Sequence, residues 1–149
     1  MELQVDPKLP KLMIGGRAEG AVMPSQIAWL RYGDEERSKS KSVQQKFKTS
    51  GMLVAELDAE GGSLAELHDA DLIVVEYYGY FPTDLASLLN QVRSSSQAPI
   101  VMLTDNQSFE WSSAAIAAGA DAIVTVATAD EVITARCQAL LRRWHGRQS

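Results

Sequence analysis

The run Leu72-Ile73-Val74-Val75 is apolar at every position. A strand with one wet face would alternate polar and apolar residues, so an unbroken run marks burial on both faces, as in the central strand of a parallel sheet. Such a strand needs parallel neighbours, and parallel neighbours need crossover connections, usually helices. The rest of the chain supplies these in order. Ile27-Ala28-Trp29-Leu30 reads as a first strand, residues 52–57 as a second, Ile100-Val101-Met102-Leu103-Thr104 as a fourth and residues 122–126 as a fifth. Between them, residues 35–48 form a polar helix pattern with Val43 and Phe47 four apart, and Gly51 is placed to end it. A short helix capped by Ser63 carries Leu64 and Leu67, and one capped by Thr83 carries Leu85, Leu88, Leu89 and Val92. Residues 108–118 form a helix stopped by Gly119, and residues 130–144 a last one with Ile133, Cys137, Leu140, Leu141 and Trp144 along one face. The expected architecture is α/β: a five-stranded parallel sheet with helices on both faces.

Residues 1–24 read as an N-terminal extension, punctuated by Pro7, Pro10, Pro24, Gly15, Gly16 and Gly20. Within it, Leu12-Met13-Ile14 reads either as a short strand or as part of a loosely ordered lead-in. Residues 25–146 form the domain. Several function classes are disfavoured. The net charge of -5 gives no support to generic nucleic-acid binding. The single cysteine, Cys137, excludes an internal disulfide framework and fits a reducing, cytoplasmic setting. No apolar run approaches the roughly 20 residues of a membrane helix. Two distant histidines, His68 and His145, join no metal-binding cluster. No glycine-rich segment ends in the lysine and hydroxyl of a nucleotide triphosphate site. No cofactor, metal or enzymatic activity is expected.

In a parallel α/β sheet, sites form at the C-terminal ends of the strands. Here those ends carry Arg31, Asp58, Glu76, Thr104 and residues 124–126. Four motifs carry a resemblance: Asp71-Leu-Ile-Val-Val-Glu76, Pro99-Ile-Val-Met-Leu-Thr104, Ala118-Gly-Ala-Asp121 and Ala139-Leu-Leu-Arg-Arg143. In this order and spacing they resemble the receiver domain of bacterial response regulators, over about residues 25–146, and the last helix most resembles receivers that precede a winged-helix DNA-binding domain. The resemblance implies a flavodoxin-like (βα)5 fold.

It also implies what this chain lacks. Receivers hold Mg²⁺ with an acidic pair after the first strand, and the matching positions are Arg31 and Tyr32; a guanidinium there repels a hard cation. Asp34, Glu35 and Glu36 nearby read as the acidic start of the first helix. The phospho-acceptor aspartate is matched by Glu76, the lysine after the fifth strand by Val126, the following proline by Ala127 and the aromatic switch residue by Ile123. Thr104 keeps the family hydroxyl. A phosphoryl transition state without its metal and lysine has no cationic clamp. The expectation is a degenerate, phosphorylation-independent pseudo-receiver.

Glu76 then has two readings: an ion pair with Arg31 across the vacated pocket, or a solvated side chain at a strand end. Thr104 is placed to hydrogen-bond it. Tyr77, Tyr78, Tyr80 and Phe81 beside it form either a partner-binding patch or a cover over the sheet edge. Trp111 is either an anchor of the homodimer face formed in winged-helix regulators by the fourth helix, fifth strand and fifth helix, or a ring folded onto the core. The functional expectation is an interaction and dimerisation module of a transcriptional regulator whose DNA-binding part lies outside this chain. The alternatives are a docking domain of a larger assembly, as in atypical receivers attached to pilus-assembly ATPases, a receiver still phosphorylated at Glu76, and a small-ligand pocket.

Overall fold

The computed structural model describes residues 24–32, 40–58, 64–78, 83–105 and 108–148. Five strands, β1 (Gln26–Tyr32), β2 (Leu53–Asp58), β3 (Leu72–Tyr77), β4 (Ile100–Thr104) and β5 (Ala122–Thr125), form one sheet in the order β2-β1-β3-β4-β5. Every pairing is parallel. Helices α1 (Ser40–Thr49) and α4 (Asp130–Gln148) cover one face, and α2 (Thr83–Ser95) and α3 (Phe109–Ala118) cover the other. The remaining crossover is a 3₁₀ helix, Leu64–Asp69, lying beside α2.

The unbroken apolar run does what its pattern requires. Ile73 and Val75 enter the core under α2 and α3, while Leu72 and Val74 enter the core under α1 and α4. Each is at most 2% exposed. The second core centres on Trp29, whose ring meets Phe47 of α1 edge-on at 6.1 Å.

Two aspartates pin the sheet at the N-terminal ends of its strands. Asp71, just before β3, donates its backbone N–H to the Gln26 carbonyl and accepts the Gln26 N–H on its carboxyl at 2.8 Å. Asp121, just before β5, does the same with Ile100 of β4, at 2.8 Å in both directions. Arg93 of α2 completes the second clamp. Its guanidinium reaches the Asp121 carboxyl and the carbonyls of Gly119 and Ala98, each at 2.9 Å. Gly119 ends α3 at φ 126°, a left-handed value that disfavours any side chain.

Where boundaries differ from the sequence reading, local bonds explain them. β1 begins at Gln26 because Asp71 fixes that residue, and it continues through Arg31 and Tyr32, which pair with Glu76 and Tyr77. β5 stops at Thr125: Val126 N–H still reaches the Thr104 carbonyl at 2.9 Å, but a turn closes there through Thr128 N–H to Thr125. α4 runs past Trp144, with the Arg147 guanidinium over the Trp144 ring at 5.7 Å and His145 bonded to Ser25. Gly51 ends α1 at φ 88°. The expected start of the first helix near Glu35, the Ser63 cap and the Leu12-Met13-Ile14 strand lie outside the described residues.

Cys137 faces the core from α4, and burial pushes its thiol up to about 12 from an ordinary 9.0. The folded thiol keeps its proton where the unfolded one has lost it. This group's stabilising contribution is therefore full below pH 9 and fades as pH rises toward 12. Iodoacetamide at pH 8 should leave Cys137 unmodified in the folded chain and label it readily in denaturant, as read by intact mass. Replacing Asp121 by Ala removes the acceptor for both Ile100 and Arg93 and should cost about 1–3 kcal/mol in chemical denaturation.

Candidate functional site

β3 carries Glu76 to the C-terminal end of the sheet, and alternation puts its side chain on the same face as Leu72 and Val74. On the neighbouring strand, Trp29 is the Cα partner of Val74 and Arg31 that of Glu76. Trp29 is therefore a diagonal neighbour of Glu76 on that face. Its indole N–H donates to Glu76 Oε1 at 3.0 Å, and the Tyr78 hydroxyl donates to Oε2. Glu76 and Trp29 are both 0% exposed, and Tyr78 is 5% exposed. The solvated strand-end reading of Glu76 is thus corrected. Its carboxyl group is sealed inside the domain, with each oxygen accepting a bond from an aromatic side chain. A buried indole N–H requires an acceptor, and a buried carboxyl group requires donors. Each side meets the other's need.

Arg31 is a quarter exposed, and its guanidinium meets Glu56 of β2 at 2.8 Å. That ion pair runs toward the sheet edge, away from β3. Tyr32 closes β1, with its backbone registered against Tyr77. Thr104 is fully buried at the end of β4 and Val126 half-buried just beyond β5, the two joined through their backbones. Ile123 is half-buried and packs on the core beneath α2 and α3. The structure thus gathers Trp29, Glu76 and Tyr78 into one cluster and places Arg31 beside it.

Burial bears on two alternatives that the sequence left open. Trp111 is 3% exposed and belongs to the core with Leu30, Ile73 and Met102, which is the folded-back reading of the ring. The Ser108 hydroxyl caps the start of α3, accepting the Trp111 N–H at 3.1 Å. Tyr78 is likewise buried, and Tyr77 is half-buried against the core; Tyr80 and Phe81 lie outside the described residues. The apolar surface of α3 is formed instead by Phe109, 80% exposed, and Ile116, 49% exposed. Seven residues apart, they share one face of the helix. Sequence reasoning missed Trp29 as the partner of Glu76, although a tryptophan inside a core strand already announced a buried donor.

No family model matches the chain, and no curated protein matches it in sequence. Solved structures do match. A CheY-like response-regulator receiver domain protein from Methanospirillum hungatei superposes with a TM-score of 0.66 at 19% identity, covering 84% of this chain and 99% of its own. A chemotaxis response regulator of Vibrio cholerae gives a TM-score of 0.63 at 21% identity, covering 79% and 99%. The chain has the receiver-domain fold. A pilus assembly-related protein from Burkholderia pseudomallei shares it, with a TM-score of 0.60 at 10% identity and coverage of 83% and 96%. Within that fold, the C-terminal end of β3 holds in this chain a carboxyl group closed off by two aromatic donors.

Glu76→Ala would strand both donors and open a cavity, costing about 2–4 kcal/mol. Glu76→Gln keeps an acceptor for the indole and can donate its amide to the tyrosine oxygen, so its cost should be below about 1 kcal/mol. Urea denaturation of the two variants measures the difference.

Proposed function

We propose that this chain is a phosphorylation-independent pseudo-receiver, a signalling module that acts by binding other proteins and by pairing with itself. The observation that carries the reading is the sealed carboxyl group of Glu76. A phospho-acceptor must meet a phosphodonor and a metal at the surface, whereas this one is fully buried and engaged by Trp29 and Tyr78. Its surroundings support the same view. Arg31 stands where an acidic metal ligand would serve a receiver, and Val126 where the lysine would steady transferred charge. No group of three His, Cys, Asp or Glu residues able to hold a metal lies together among the described residues.

The self-pairing surface we assign to the exposed side of α3 rather than to Trp111. Phe109 and Ile116 give it the large apolar anchors that interface centres use. In this reading the chain is the regulatory domain of a transcriptional regulator, and DNA is reached only through a separate effector domain. A second reading, a docking domain within a larger assembly, is favoured by the pilus assembly-related structure that shares the fold. Both readings use the same surface and differ in what it binds. For location, no helix among the described residues is long and apolar enough to cross a membrane.

Acetyl phosphate with Mg²⁺ should leave the intact mass of the chain unchanged; a stable gain of one phosphate on Glu76 would sink the proposal. Phe109→Ser should weaken self-association by about tenfold or more in sedimentation, while Trp111→Phe, a change inside the core, should leave it alone. If the wild type is monomeric at high concentration, the docking reading replaces the dimer.

A further inference from the structure

At the end of the sheet opposite Glu76, the C-terminal half of α4 and the starts of β4 and β5 enclose a cleft of about 400 Å³. Its walls are Pro99, just before β4, Asp121, just before β5, and Leu140, Arg143 and Arg147 of α4. The three helix residues stand three and four positions apart and so share one face. The volume falls in the range of about 300–1,000 Å³ that small-molecule sites occupy.

Both arginines are exposed, and among the described residues neither meets a carboxylate. Asp121 does not neutralise them, because its carboxyl group is taken up by Arg93 and by the Ile100 N–H. Counting Arg93, three guanidinium groups stand around one carboxylate, in a chain whose net charge is -5. Arg147 is held by its place over the Trp144 ring, 5.7 Å from the centroid, a contact that leaves the N–H edge of the guanidinium for other acceptors. A helix C-terminus favours cations, which accounts for arginines near this end. It does not account for two of them lining a cleft together with Pro99 and Leu140.

Two guanidinium forks one turn apart select a multivalent acceptor. A single carboxylate fills one fork, whereas the dianion of a phosphate monoester can fill two. The other walls describe the rest of the ligand. Pro99 and Leu140 offer apolar contact to a ring. Both bonds to Asp121 fall on Oδ2, so Oδ1 remains to accept from a hydroxyl. We infer that the cleft binds a small sugar phosphate, free or as part of a nucleoside monophosphate. Its phosphate lies between Arg143 and Arg147, and its ring lies against Pro99 and Leu140 with a hydroxyl on Asp121. Bound there, it ties α4 to the clamp that Asp121 forms with β4 and α2.

Calorimetry on the full chain tests this with ribose 5-phosphate and adenosine monophosphate as probes, and with ribose and inorganic phosphate as references. At least one probe should bind about tenfold or more tightly than either reference. Arg143→Gln and Arg147→Gln should each weaken that binding by about tenfold or more. Arg142→Gln, an exposed arginine of the same helix outside the cleft, should change it by less than about twofold. All three side chains are exposed, so the variants should keep the wild-type midpoint in urea. No heat from either probe up to about 10 mM would overturn the inference. So would probes that bind no better than inorganic phosphate, or an equal loss in Arg142→Gln, since either reduces the effect to general charge attraction. Binding only to vesicles containing phosphatidic acid would assign the arginines to a membrane surface and overturn it as well.

Discussion

The structure depends on burying β3 on both faces. Once Leu72 to Val75 must be dry above and below, the sheet must carry helices on both sides, its neighbours must be parallel, and its end must deliver Glu76 into the interior. The Trp29–Glu76–Tyr78 cluster is how that last demand is met. A carboxyl group carried into a dry interior is tolerable only when its oxygens are bonded. The sheet supplies one donor from the adjacent strand and one from the residue two places along.

This arrangement separates two questions that a receiver-like sequence invites. The fold is set by the core pattern, and the chemistry by a few positions at the strand ends. Here the core pattern is intact, while those positions hold Arg31, Glu76 and Val126. Arg31 and Glu76 make internal bonds. Arg31 serves the β1–β2 edge through Glu56, and Glu76 serves the β1–β3 seam through Trp29. Glu76 is thus tied inward and Arg31 to the next strand.

Much of the fold was legible in the sequence. The fourth strand matches residue for residue, and α3 ends at the Gly119 stop that the sequence marks. What stayed hidden depended on partners distant in sequence. Nothing local announces that Glu56, rather than another acid, meets Arg31, or that Trp29 meets Glu76 across 47 positions. Trp111 was open to either assignment, because a short helix rich in alanine presents little amphipathic contrast. Packing decided it: Trp111 is 3% exposed and Phe109 80%. The second crossover was read as a helix from Leu64 and Leu67, but their spacing does not distinguish an α-helix from the tighter 3₁₀ form.

The two aspartate clamps have a consequence for how such a domain can change. Asp71 and Asp121 fix neighbouring strands at the end opposite the Glu76 cluster, and they do so through backbone groups that every residue possesses. Strand register is therefore held independently of whatever occupies the other rim. A lineage could exchange metal ligands, acceptor and lysine one at a time without any strand slipping. The far rim becomes a site of free experiment on a frame anchored elsewhere, and a domain could lose its chemistry long before it lost its shape.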